Sequence, residues 1–465
     1  MWYTIHVLRH RIICLADLDC FFVEVERLHR PELRGLPVII GGQPGQRGVV
    51  AACSYEARAL GVHSAMPMGE AYRKVQAAGV AHTTDIDRLS LARGGRNGRR
   101  PEPAVFMHSG LHGNYTLYSR RVRDILREAV PGFRSKSIDE FELDISGCEK
   151  LFARDYGGIE PFVEHLRRRV KKEVGLPLSV GIGPSRMVAK MASRHAKPDG
   201  VFRVLPEQVV GFLGPHDIQA VPGIGPVTAA GLRARGVERV AQLLALPERM
   251  LRHTFGLGLV GVLRGLGQGV AAPPREEAEE AAAAFGAGTR SRPKSIGHET
   301  TFARDVLDQN VIKRSLWRLT EDACQRLRAA DLRARHVTVK IRYSDFHTVT
   351  KGGYLGEPSD SDHAIFTRVL ELLAQGRTRR LRLRLVGVRL QRLCAGASQL
   401  LLFSTRRRQR EEQLLCTVDR IRERYGRDSV YVGPGVERLK EKRPVAAQST
   451  AGIQTGFMPD RRRRD

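Results

Sequence analysis

The sequence predicts a multidomain protein of mixed α/β class. Its 465 residues exceed what one ordinary core of about 100–150 residues requires, and short apolar β-prone runs alternate with segments of helical period. A low-complexity tract, AAPPREEAEEAAAAFGAG, interrupts that alternation at residues 270–289 and reads as a linker.

The charge is strongly one-sided. Lys and Arg number 77 against 50 Asp and Glu, a formal net charge of +27. Such an excess favours a polyanionic partner, because neutralising many phosphates releases their counterions. A solvated Arg-rich surface would give the same count, so charge alone does not identify that partner. Cys14, Cys20, Cys53, Cys148, Cys324, Cys394 and Cys416 are scattered, without a C-x-x-C pair or a His cluster at zinc spacing. They read as reduced thiols of a cytoplasmic protein. No apolar run approaches the roughly 20 residues that span a bilayer, and the first residues lack a signal-peptide pattern, so neither membrane insertion nor export is expected.

Along the chain, Arg11 to Ala16 reads as a buried strand delivering Asp17 and Asp19 at its end, followed by a helix from Phe21 to Leu28. VIIGG is a short strand, and GVVAACSYEARALGV a strand running into a helix. Residues 77–103 are rich in Gly, Ala and Arg without periodicity and read as a basic loop. Tyr115–Val130 and Ile159–Val174 have helical period, and FRSKSIDEFELDISG between them reads as a strand hairpin. PLSVGIG is an apolar strand, leading into the helix SRMVAKMASRHAKPDG. Beyond the linker, strands alternate with helices to about Arg392, and the last ~70 residues are increasingly charged.

Acids gather at the strand ends: Asp17 and Asp19 after the first strand, Asp139 and Glu140 in the hairpin. Like charges held rigidly and close together are costly unless cations offset them. Two Mg²⁺ ions would do so, and all-oxygen ligands suit magnesium. Period two places Glu140 and Glu142 on one face and Asp139 on the other, while Asp144 reads as structural. Singly, D-x-D and D-E are weak signals; the apolar strand-like flanks on both sides strengthen them.

Four runs, LADLDCFFVEVE, RGVVAACSYEARALGVHSAMPM, SIDEFELD and SVGIGPSRMVAKMASRHAKPDG, resemble the motifs of Y-family translesion DNA polymerases of the DNA polymerase IV type. They stand in that family's order, and the likeness extends from about Ile12 to about Gly433. The resemblance implies a right-hand polymerase with a palm (1–24 and 104–178), fingers (25–103), a helix-hairpin-helix thumb (179–269), the 270–289 linker, a DNA-gripping little finger (290–395) and a C-terminal extension (396–465). It implies Mg²⁺-dependent, low-fidelity DNA synthesis from deoxynucleoside triphosphates on primer-template DNA, and a monomer is expected.

By the same resemblance, Asp17, Asp139 and Glu140 hold two catalytic Mg²⁺ ions, with Leu18 adding a backbone carbonyl. Phe22 takes the place of the steric gate against a ribose 2′-hydroxyl, and Phe21 reads as core. Tyr55, Arg58 and Lys190 match the triphosphate contacts. Lys190 belongs to a series with Arg186, Arg194 and Lys197, spaced four, four and three, whose other members read as solvated or near the DNA backbone. Ala52 departs from the pattern, since several relatives carry a phosphate-binding threonine there.

VPGIGPVTAAGLRARGV looks like a helix-hairpin-helix in which Gly223 and Gly225 open a phosphate-gripping turn. In HVTVKIRYSDF, Val337, Val339, Ile341 and Tyr343 alternate with Thr338, Lys340 and Arg342, giving one buried and one basic face. LRLRLVGVRL repeats this with Arg380, Arg382 and Arg384. A cationic sheet face suits a duplex backbone and reads no sequence. Gln399, Leu400, Leu402 and Phe403 lie in a run that looks like the short peptide by which bacterial polymerases dock on a sliding clamp. Two other readings remain at this point: a non-catalytic relative that only binds DNA, and a two-metal nuclease.

Overall fold

The computed structural model describes residues 11–85, 103–108, 112–256, 258, 260–261, 293–395, 406–426 and 429–430. The chain divides into two units, Met1–Thr289 and Arg290–Asp465.

Unit 1 opens with strand β1 (Ile13–Leu18) and helix α1 (Phe21–His29). A small lobe follows, made of β2 (Val38–Ile40), β3 (Ala52–Cys53), α2 (Tyr55–Ala59), α3 (Met68–Ala77), β4 (His82–Thr83) and β5 (Ala104–Met107). The chain continues through α4 (His112–Ala129), β6 (Gly132–Ser135), β7 (Glu140–Asp144), α5 (Glu149–Tyr156), α6 (Ile159–Val174), β8 (Leu178–Gly183), α7 (Arg186–His195) and β9 (Val201–Arg203). Short helices α8 (Val209–Leu213), α9 (Pro226–Arg233), α10 (Val240–Leu244) and α11 (Glu248–Phe255) complete the described part.

The larger sheet has the order β6-β7-β1-β8-β9, with β1 antiparallel to both its neighbours. Strand alternation divides β1 between two faces. Cys14, Ala16 and Leu18 join the main core, where α6 contributes Ile159, Phe162, Val163, Leu166 and Val170. That spacing of three, four and seven residues is the apolar stripe of an amphipathic helix, and burying each such side chain is worth about 1.5–3 kcal/mol. Ile13 and Leu15 turn to the opposite face and meet Ala189 of α7. Asp17, next in that alternation, therefore lies on the α7 side.

Helix α7 starts at a defined cap, the Ser185 hydroxyl accepting from the Val188 amide. It then lies against β8 at a distance only glycine tolerates. A Cβ on Gly181 would stand 2.0 Å from the Ser193 nitrogen and 2.2 Å from the Ala189 carbonyl oxygen. The far side of α7 supplies Val188, Met191 and Ala192 to the separate core of the α8–α11 region.

The sheets redraw two expected boundaries. Residues 104–107, assigned with the first strand, pair in parallel with β2 as Val38 to Val105 in the small sheet of order β3-β2-β5-β4. Residues 178–183 and 201–203, of which all but Leu178 were assigned to the thumb, are strands of the larger sheet instead. Both reassignments follow from pairing, which a chain read one segment at a time does not reveal. A strand also occurs at His82–Thr83, inside the stretch taken as loop; residues 86–102 of it lie outside the described residues.

Unit 2 runs β10 (Ser295–Val306), α12 (Gln309–Ala329), β11 (Leu332–Tyr343), β12 (Thr348–Ser359), α13 (Asp362–Gly376) and β13 (Leu383–Ala395). The sheet order is β10-β13-β11-β12, antiparallel throughout, and each helix crosses between parallel strands one place apart. Val337, Val339, Ile341 and Tyr343 are buried with residues of α12 and α13, as the alternation predicts. A further helix, α14 (Arg406–Tyr425), stands in the tail region where only charge was legible. It buries Leu415 and Val418 and is fastened by Arg328 to Asp419 (2.6 Å) and Arg422 to Glu321 (2.9 Å). Among the described residues no helix is long and apolar enough to cross a membrane, and all seven cysteines are free thiols.

Candidate active site

Three acids lie at neighbouring ends of two paired strands, β1 and β7. The register sets Asp17 directly opposite Glu140, and the Leu18 amide donates to the Asp139 carbonyl at 2.9 Å. Asp139 precedes β7, so strand alternation does not turn it away; its charge adds to that of Glu140 at Asp17. The Asp17 carboxyl is raised above its ordinary pKa, first by burial and then by Asp139 and Glu140, with Lys197 opposing them.

Cations face these acids. Lys190 of α7 donates to both Glu140 oxygens at 3.0 and 2.8 Å, and Arg186 lies 2.7 Å from Glu142. Lys197, past the end of α7, donates to Asp17 and stands 3.6 Å from Asp19. Arg194 leaves the series and donates to the Ala220 carbonyl at 2.8 Å. The expectation that Arg186 and Lys197 are solvated or near a DNA backbone is thus corrected. The signal was present, since cations spaced along one element faced Glu140 and Glu142 at strand period, but only the register brings Asp17 into line with them.

Each proposed metal carboxylate points at a different donor: Asp17 at Lys197, Glu140 at Lys190, Asp139 at the Ser137 hydroxyl. Accordingly, among the described residues no three His, Cys, Asp or Glu side chains stand ready-grouped around an ion position. The donor set nevertheless suits a hard divalent cation: neighbouring carboxylates at strand ends, partly screened from water, two of them already held by ammonium groups.

Asp19 differs sharply from Asp17. It is 2% exposed and accepts from the Tyr55 hydroxyl (3.0 Å), the Ser179 hydroxyl (2.7 Å) and the Asp199 amide (2.8 Å). It ties β1, α2 and β8 together. Tyr55 is held by it, with the Arg58 guanidinium 5.0 Å above the phenol ring. Both lie on α2, whose cap is the Ser54 hydroxyl accepting from the Ala57 amide. The Tyr55 hydroxyl is raised in pKa by burial and then by Asp19. Asp144 binds Arg11 and Ser146; burial would raise its pKa, but those hydrogen bonds hold it below the ordinary carboxylate range, the structural part expected of it.

Phe22 stacks on Tyr115, ring centroids 4.4 Å apart and planes inclined by 13°, and the Tyr115 hydroxyl is anchored on Glu26. Phe21 is buried in the main core. Sequence reasoning missed this supporting tyrosine, since residues 93 apart share no local pattern.

The remaining expected residues lie elsewhere. Gly223 adopts φ +95°, and Gly225 precedes Pro226 as the N-cap of α9. In unit 2, Lys340 shares the open sheet face with Arg342 but is paired with Glu299 at 2.9 Å, and Arg342 donates to Thr348. Arg380 and Arg382 precede β13 rather than lying in it, so the alternation assigned to them and Arg384 does not hold; the cation that β13 adds to that face is Arg389, opposite Thr338. Gly297, Gly352 and Gly387 line a 700 Å³ cleft on this face with Glu299, Lys340 and Arg389. Gln399, Leu400, Leu402 and Phe403 lie outside the described residues.

The chain matches the impB/mucB/samB family over residues 16–194 and that family's C-terminal domain over residues 293–402. It is 34% identical over 433 residues to a DNA polymerase IV of Dehalococcoides mccartyi strain CBDB1, covering 93% of this chain and 99% of that one. It is 33% identical to a DNA polymerase IV of Halorhodospira halophila, covering 85% and 98%. A solved Y-family DNA polymerase chimera of Dbh and Dpo4 shares the fold with a TM-score of 0.64 at 22% identity, covering 83% of this chain and 99% of that one. With similarity running through both units, the chain belongs to the Y-family DNA polymerases of the DNA polymerase IV type.

Proposed function

We propose that this DNA-directed DNA polymerase carries out low-fidelity translesion synthesis, with Asp17, Asp139, Glu140 and the Leu18 carbonyl holding two Mg²⁺ ions. One observation carries the reading: the register that puts Asp17 opposite Glu140, on the face lined by Lys190 and Lys197. Divalent cations bound there would activate the primer 3′-hydroxyl and neutralise the triphosphate and departing pyrophosphate.

The protein's own groups do the rest. Lys190 exchanges Glu140 for triphosphate oxygens as a nucleotide enters, and Arg58 forks onto phosphate from the base of α2. Tyr55, braced on Asp19, directs that end of the pocket. Phe22 walls off a 2′-hydroxyl by shape. The turn at Gly223 and Gly225 offers amides to a phosphate, and Lys340, Arg342 and Arg382 contact the primer-template backbone without reading bases. The segment with Gln399, Leu400, Leu402 and Phe403 docks on a sliding clamp, and the protein works as a cytoplasmic monomer.

A labelled primer annealed to a longer template tests this. Extension should require deoxynucleotides and Mg²⁺, and Asp139→Ala with Glu140→Ala should lower kcat at least roughly 10²-fold while DNA affinity persists. Extension at the wild-type rate by that double variant sinks the metal assignment. Shortening of the primer without nucleotides would instead indicate a nuclease.

A further inference from the structure

We infer that Lys197 is a positioning residue which serves as the resident counter-ion of Asp17, filling a divalent cation's electrostatic place until one binds. The inference rests on the metal reading of Asp17. Its ammonium lies between two carboxylates of unlike status, 2.5 Å from an Asp17 oxygen and 3.6 Å from an Asp19 oxygen. Asp19 is already satisfied by Tyr55, Ser179 and the Asp199 amide, which hold its carboxyl group in place. Among the described residues Asp17 has Lys197 as its one cationic partner, while Asp139 and Glu140 press like charge on it.

This asymmetry gives Lys197 somewhere to go. When a cation claims Asp17, the ammonium keeps its attraction to Asp19 and need not be desolvated alone. When no cation is bound, it screens Asp17 from Asp139 and Glu140. Lys190 cannot substitute, because it is engaged with Glu140. The Lys197 side chain is 18% exposed, dry enough for the field of its ammonium to count.

Thermal unfolding of the full-length protein, with EDTA or with Mg²⁺ and no DNA or nucleotide, reads this directly. Lys197→Met should melt about 4 °C below wild type in EDTA and recover most of that loss in Mg²⁺. Lys197→Arg should follow wild type in both. Adding Asp17→Asn to Lys197→Met should raise the EDTA melting temperature, because the uncompensated anion is gone, and this arm also serves if the single variant is too unstable to purify. An equal loss in EDTA and Mg²⁺, while wild type still gains on adding Mg²⁺, overturns the inference and makes Lys197 a packing residue. No gain in wild type overturns the metal reading instead.

Discussion

The carboxylate of Asp19 meets three hydrogen-bond donors and almost no water, while that of Asp17 meets a lysine and two like charges. Substituting them should therefore separate stability from chemistry. Asp19→Ala strands the Tyr55 and Ser179 hydroxyls and the Asp199 amide, and should cost about 3 kcal/mol in denaturant unfolding. Asp17→Asn should leave the unfolding midpoint at or above wild type and abolish primer extension. The D-x-D run showed that both acids end a strand; which one is walled in depends on Ser179 and Asp199, about 160 and 180 positions away. Phe22 is a similar case, because its stack on Tyr115 fixes the ring plane. Phe22→Ala should raise ribonucleotide incorporation at least 10-fold relative to deoxynucleotide, read as the ratio of kcat/KM values; an unchanged ratio rules out its part in sugar selection.

At the level of elements, α6 and β11 are where periodicity served best. The stripe Ile159, Phe162, Val163, Leu166 and Val170 and the alternation Val337, Val339, Ile341 and Tyr343 are buried as their spacing requires, because burial on one face dictates those periods. Pairing between elements was not legible: Ala104–Met107 is apolar enough to fit either sheet, and only its parallel register with β2 decides. Helix α6 also reaches the site through polar contacts. Arg167 donates to Asp199 at 2.7 Å, as does Lys171. Burial acts to raise the Asp199 pKa, but these two cations outweigh it and the net shift is downward. A depressed folded-state pKa stabilises above the unfolded value, near 4, and is lost as pH falls through the folded value. Asp199→Asn should thus cost about 1–2 kcal/mol at pH 7, with the deficit shrinking as pH falls below the unfolded value and gone once the folded-state carboxylate is protonated. A deficit independent of pH in acid unfolding curves would exclude this ion cluster as its origin.

For the molecule as a whole, charge and architecture act together. The net +27 was readable at once, yet the sheet face of unit 2 is less basic than its strands suggested, since Glu299 pairs Lys340. Replacing Arg342 and Arg389 by Gln should flatten the dependence of log DNA affinity on log salt by about 1–2, measured by fluorescence anisotropy. Helix α14 escaped sequence reasoning because Leu415 and Val418 are a thin apolar stripe among arginines and glutamates. Two of its charges, Asp419 and Arg422, turn inward to Arg328 and Glu321 instead of outward to solvent. One missing side chain has the widest reach. At Gly181 there is room for a hydrogen and nothing larger, and α7, seated on that spot, is a party wall: the acids lean on one side, the α8–α11 core on the other. Thickening the wall by a single methyl group would disturb both tenants together, so Gly181→Ala should slow nucleotide addition and loosen the neighbouring helices in hydrogen exchange, although position 181 itself handles neither nucleotide nor DNA.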